Sequence, residues 1–232
     1  MKVAIFAEGR GDLAVLKNIL KGKFGIDQSD IRFERPEYSY DQTDLAQMKP
    51  SEFSSWTLVK TACQKRDDID SFLQVTADPK LVVIQIDTAE KHLSGYEVQA
   101  PKKKGTPSHE YSRILRNSVK SKIEEWLKEK NPSDFAYAIC IEEMEAWLMT
   151  LNCQGNDPDT SIYNDPKTKI QDIWNKSFKG KQRKFLSEKD EFKKMDKLSL
   201  GFRKRKTLYQ CSKYNESLKL FLESLDATSL AI

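Results

Sequence analysis

Three short apolar runs in this chain each end in carboxylates, and few folds accommodate all three at once. Val3-Ala4-Ile5-Phe6-Ala7 leads into Glu8-Gly9-Arg10-Gly11-Asp12. Leu81-Val82-Val83-Ile84-Gln85-Ile86 leads into Asp87-Thr88-Ala89-Glu90. Phe135-Ala136-Tyr137-Ala138-Ile139-Cys140-Ile141 leads into Glu142-Glu143-Met144-Glu145. Val- and Ile-rich runs of this length, alternating with helical stretches, read as buried parallel strands. The expected fold class is therefore α/β, and in open parallel sheets the ligand site lies beyond the carboxyl ends of the strands. Acids from three strands would converge there. Two like charges 4 Å apart repel by about 4 kcal/mol at an effective dielectric near 20. A divalent cation relieves that repulsion, and hard oxygen ligands suit Mg2+ or Mn2+.

The helical periodicity sets the order of the remaining elements. A strand over 2–7 precedes a helix over roughly 11–21, with Leu13, Leu16, Ile19 and Leu20 on one face. Gly9 and Gly11 suit a tight strand-to-helix turn. Residues 36–50 read as a loop, and Ser51 caps a helix over 51–66 that turns Trp56, Val59 and Cys63 inward. Residues 81–86 are the most hydrophobic segment and read as a central strand. A long polar loop over 91–107 is of the kind that more often serves function than idles. Ser108 then caps a long helix to about Lys130, with Leu115, Val119, Ile123 and Trp126 as its apolar stripe and Arg113, Arg116, Lys120 and Lys122 largely outside it. Asn131-Pro132 ends that helix. After the strand at 134–141, a helix over 143–151 directs Met144, Trp147 and Leu148 inward, which places Glu143 on the Trp147 face. Beyond residue 152 the composition turns Asn-, Asp- and Pro-rich and then lysine-rich. We read a core over 1–151 and a lysine-rich helical extension over 152–232 that packs on it.

Charge is unevenly spread. The net value is only +4, yet residues 179–206 hold Lys181, Arg183, Arg203 and Arg205 among many lysines, and Lys102-Lys103-Lys104 lie in the loop after the second acidic strand end. An acidic centre flanked by basic surfaces suits a polyanion held by its phosphates. A lysine run also serves simply as a solvated helix face. Four cysteines without a CxxC pair read as ordinary thiols rather than a disulfide framework or zinc site. No apolar run reaches the ~20 residues that span a bilayer. The chain opens on a strand with no signal-peptide pattern, so no membrane role and a cytoplasmic location are expected.

Gly9-Arg10-Gly11-Asp12 lacks the Lys-Ser/Thr end of a P-loop and the glycines of a dinucleotide fingerprint. An acidic first turn stabilised by the helix dipole explains Asp12 but explains Glu8, beside a glycine, less well. Three glutamates within 142–145 likewise exceed what a helix cap needs, and Glu142 and Glu145 are favoured over Glu143 for a site role. His92 and His109 flank the 91–107 loop and read as polar surface. The sharper alternative makes one of them a proton donor to a leaving oxygen. Lys91 is placed to neutralise a phosphate.

Glu8-Gly9-x-x-Asp12 after a first strand, with Asp87 ending a later one, resembles the Toprim superfamily of topoisomerases, primases and OLD-type nucleases. The run Ile141-Glu142-Glu143-Met144-Glu145-Ala146-Trp147-Leu148 is similar to a signature of small prokaryotic Toprim-like proteins. The resemblance covers roughly residues 1–150. It implies a Toprim (Rossmann-like) parallel sheet flanked by helices and a Mg2+ or Mn2+ site that makes or breaks phosphodiester bonds. Glu8 then corresponds to the family's catalytic glutamate and Asp87 to the first acid of its Asp-x-Asp metal motif. The second acid should fall at position 89, where this chain has alanine. Three explanations stand: Glu90 substitutes through a shifted turn, the glutamates at 142–145 supply the ligand, or Ala89 inactivates the site.

The expected activity is metal-dependent cleavage of DNA or RNA. Glu8, Asp12, Asp87, Glu142 and Glu145 form the catalytic set, and Glu8, Asp87, Glu90 and Glu142 are the metal ligands. Lys91, Lys102, Lys103, Lys104, Lys181, Arg183, Arg203 and Arg205 contact the nucleic acid. By the same resemblance, an ABC-type ATPase partner in anti-phage defence is implied. The alternatives are a catalytically decayed module that binds nucleic acid or the ATPase, and a hydrolase of small phosphate esters.

Overall fold

A computed structural model describes residues 1–35, 55–75, 78–130, 133–163, 165–177 and 191–228. The loop expected over 36–50, the Ser51 cap, the Asn131-Pro132 helix end, and Lys181 and Arg183 lie outside the described residues. Among those described, four parallel strands form one sheet: β1 (Lys2–Phe6), β2 (Ile31–Arg35), β3 (Lys80–Asp87) and β4 (Phe135–Cys140), in the order β2-β1-β3-β4. The protein is α/β with a Rossmann-like arrangement, as the apolar runs imply. β1 and β3 are both interior, and their carboxyl ends stand side by side with Phe6 opposite Ile84.

Period-two alternation sorts the strands onto two faces. On one face, Val3, Ile5, Leu81, Val83, Ala136 and Ala138 meet Leu13, Leu16 and Leu20 of α1 (Arg10–Phe24). On the other, Ala4, Phe6, Val82, Ile84 and Tyr137 meet α2 (Ser55–Lys65), α3 (Asp67–Gln74) and α4 (Ser108–Leu127). The expected stripe of Leu115, Val119, Ile123 and Trp126 is buried there. Two details of α4 differ from the sequence reading. Ser108 is the first helical residue and makes no side-chain cap, the capping position being Pro107. Arg116, expected outside the stripe, is buried because the last helix of the chain packs over that flank of α4.

After β4 come α5 (Glu145–Met149), α6 (Pro166–Ser177), α7 (Glu191–Leu198), α8 (Arg205–Cys211) and α9 (Glu216–Asp226). These elements do not form a core of their own. Met195, Phe202, Leu208, Phe221 and Leu225 join the same hydrophobic cluster as β1 and α1. Two glycines of α1 permit that packing. A Cβ at Gly22 would stand 1.9 Å from the Phe202 carbonyl oxygen, and one at Gly11 would stand 3.0 Å from Met195 Cγ. Neither Gly9 (φ −130°) nor Gly11, which lies inside α1, takes a positive φ, and Gly11 supplies close helix approach rather than turn geometry.

Candidate acidic site

Beyond the carboxyl ends of β1 and β3 lies a cleft of about 210 Å³, lined by Glu8, Asp12, Asp87, Glu90, Glu143, Glu145 and Glu191 and, among the described residues, by one cation, Lys167. Each element contributes for a local reason. Glu8 follows β1 directly. Asp12 sits in the first turn of α1, where its Oδ2 accepts the Gly9 N–H at 2.9 Å and satisfies one of the helix's open donors. Asp87 ends β3. Glu191 opens α7, which reaches the cleft because Gly11 lets that helix lie against α1.

Glu8 and Asp87 are tied together across the two strands. The Asp87 N–H donates to Glu8 Oε1 at 2.7 Å, and the Glu8 N–H donates to Gln85 Oε1 at 2.9 Å. From the opposite face, the Tyr96 hydroxyl donates to the Asp87 carbonyl at 3.0 Å. Tyr96 belongs to the 91–107 loop and is wholly buried beside Trp56, with ring centroids 5.3 Å apart, and Trp126. That loop therefore braces the end of β3 through an aromatic cluster.

Burial pushes Asp12 and Asp87 well above the ordinary carboxylate range; the Glu145 and Glu8 charges raise Asp12 further, and the Asp12, Glu8 and Glu145 charges raise Asp87. Burial likewise lifts Glu145. Lys167 opposes this crowding. Its Nζ lies 2.6 Å from Glu143 Oε1. Desolvation works against its charge, yet the Glu143 hydrogen bond and the Glu145 and Asp87 charges outweigh it, so its pKa rises. The cleft thus concentrates negative charge that its lysine does not balance.

Not every expected residue faces this cleft. Glu142 turns away: its backbone is left-handed (φ 61°), held by its N–H donating to Thr88 Oγ1 at 2.7 Å and its carbonyl accepting the Ala89 N–H at 3.0 Å. Its carboxylate instead meets Lys91 Nζ at 3.4 Å and Lys103 Nζ at 3.8 Å. Glu143, set aside in the sequence reading, lines the cleft. The reason is that the helix begins at Glu145, so Glu143 lies in the preceding turn and is not in helical phase with Trp147. Ala89 lines the cleft as well, with Glu90 beside it.

The basic residues divide similarly. Lys102, Lys103 and Lys104 are exposed. Arg203 is engaged in structure, its Nε donating to Asn18 Oδ1 at 2.7 Å and its Nη2 lying 3.1 Å from Asp196. The Arg205 guanidinium lies 5.9 Å from the Tyr209 ring centroid. His92 and His109 are exposed and neither lines the acidic cleft. Lys167 and Glu191 escaped the sequence reading because only tertiary packing brings them in. Glu143 escaped through a misplaced helix start.

Among the described residues, no three His, Cys, Asp or Glu side chains stand as a ready-made metal-ligand set. The match to a cation is one of donor chemistry: Glu8, Asp12, Asp87, Glu90 and Glu145 offer only hard oxygens in a negatively charged recess, which suits Mg2+ or Mn2+ over softer metals. No helix among the described residues is long and apolar enough to cross a membrane. No protein-family model, curated protein or solved structure matches the chain, so its geometry carries the functional argument.

Proposed function

We propose that this protein is a metal-dependent phosphodiester hydrolase of the Toprim type that acts on nucleic acid. The observation that carries the reading is the cleft at the ends of β1 and β3, where the half-buried carboxylates of Glu8, Asp12, Asp87 and Glu145 crowd together. Glu8, Asp12, Asp87 and Glu145 are the residues that would hold Mg2+ or Mn2+, with Glu90 at the rim. When bound, the cation supplies charge stabilisation at the phosphate and an acidified water. The chain itself orients Glu8 through the hydrogen bond that its carboxylate accepts from the Asp87 N–H. Lys91 and Lys103, which meet at the Glu142 carboxylate, are the bases that would hold a phosphodiester backbone. Lys102 and Lys104 extend that basic set. The ABC-type ATPase partner and the defence role are proposed on the Toprim resemblance alone.

Ala89 favours a second reading. It lines the cleft where the Toprim pattern puts an acid, so a decayed site that binds nucleic acid or a partner without cutting it is the rival proposal. Cleavage of labelled DNA and RNA in Mg2+ or Mn2+ decides between them, using the unaltered chain, Ala89→Asp, and Ala89→Asp with Glu8→Ala. Activity abolished by Glu8→Ala supports the hydrolase. Nucleic-acid binding without cleavage in all three supports the binding module. Turnover confined to mononucleotides would instead indicate a small-ester phosphatase.

A further inference from the structure

We propose that Gln85 is a positioning residue that fixes Asp87 and Glu8 in the orientation from which they bind a divalent cation; this rests on the acidic-cleft reading above. Gln85 is wholly buried near the end of β3. It shares a face with Leu81, Val83 and Asp87, and the first two of these lie in the hydrophobic cluster under the sheet. An aliphatic side chain would fill that position without a polar group to satisfy.

The amide is satisfied at both ends by the cleft. Oε1 accepts the Glu8 N–H at 2.9 Å, and Nε2 donates to Asp87 Oδ1 at 2.8 Å. The Asp87 N–H returns to Glu8 Oε1 at 2.7 Å, which closes a ring of three hydrogen bonds between β1 and β3. The ring admits one orientation of the amide. A backbone N–H only donates, so it faces Oε1, which leaves the NH2 group for the carboxylate. Gln85 therefore holds Asp87 by one oxygen, as the Asp87 N–H holds Glu8 and the Gly9 N–H holds Asp12. Donors that fix ligating carboxylates in this way are typically worth about 10- to 100-fold in metal affinity.

The test is Mn2+ binding to the full chain, followed by the electron paramagnetic resonance signal of free Mn2+, with thermal unfolding measured alongside in EDTA. Gln85→Met keeps the length and volume of the side chain and removes both hydrogen bonds. It is expected to weaken Mn2+ binding about tenfold or more, while the EDTA unfolding temperature falls by only a few degrees. Gln85→Asn, one methylene too short to reach both partners, is expected to weaken binding likewise and decides the matter if the methionine variant does not fold. Wild-type affinity in a folded Gln85 variant overturns the proposal and leaves the cleft reading intact. Absence of Mn2+ binding by the wild-type chain, or binding undiminished in Asp87→Asn, overturns both.

Discussion

Trp147 lies stacked on Phe221, with ring centroids 5.5 Å apart, and its indole N–H donates to Ser217 Oγ at 2.8 Å. This contact joins the short helix that carries Glu145 to the last helix of the chain. Phe221 is wholly buried, so Phe221→Ala should cost about 3–5 kcal/mol, the usual range for emptying such a site. Chemical denaturation measures it. Because the cluster is shared, a chain ending at residue 151 should lack cooperative unfolding rather than behave as an independent domain.

Metal-free stability should depend on pH in a defined direction. Asp12, Asp87 and Glu145 have raised pKa values, so the folded chain binds protons more tightly than the unfolded one. Their contribution is fully present below the ordinary carboxyl values of 3.8 and 4.5 and is lost as pH rises through the folded values. In EDTA, the unfolding temperature should therefore climb as pH falls from neutrality towards about 5. Asp196, whose pKa is lowered on balance by Lys17, Asn18 and Arg203 against the opposing cost of its burial, works oppositely and loses its contribution only below the ordinary range. Asp12→Asn should raise the neutral-pH EDTA unfolding temperature by a few degrees while abolishing any stabilisation by Mg2+.

Glu142 should restrain nucleic-acid binding rather than support it. Its carboxylate pairs with Lys91 and Lys103, and the left-handed backbone that aims it there costs about 1–3 kcal/mol. Glu142→Gln is expected to tighten binding of a labelled oligonucleotide in EDTA severalfold, and Lys91→Ala with Lys103→Ala to reverse the gain. The double lysine variant should also flatten the salt dependence by about 0.7–0.9 in slope for each phosphate it no longer neutralises. Weaker binding by Glu142→Gln would count against this arrangement.

Arg203 should behave as a structural residue despite its place in a basic stretch. Removing it leaves buried Asn18 Oδ1 without its guanidinium donor, which costs about 1–3 kcal/mol. Arg203→Ala should lower the unfolding temperature and leave oligonucleotide affinity, measured on folded protein, within twofold of wild type.

Three of the four strands were legible because they are apolar runs punctuated by acids, a pattern that survives any packing of the helices around them; β2, Ile31-Arg32-Phe33-Glu34-Arg35, has no such run. Glu8, Asp12 and Asp87 followed from the same punctuation. Of the glutamates after β4, Glu145 was legible too, but the left-handed backbone at Glu142 and a helix beginning at Glu145 exchange Glu142 for Glu143 at the cleft. Arg203 looked like any surface base, and its bond to Asn18 exists only because α1 meets the turn after α7. Gln85 could have been found, as an amide inside an apolar strand, two residues before an aspartate and therefore on its face.

The cleft is lined by residues far apart in the chain: Glu8 stands just past β1, and Glu191 opens a helix that follows all four described strands. During synthesis, the sheet and Asp87 are available long before Lys167 and Glu191 leave the ribosome. A polypeptide that stops short of α6 therefore lacks Lys167 and Glu191 and also the residues that close the core over α1. Translation through α7 thus brings in the last of these lining residues together with Met195, part of the packing against α1.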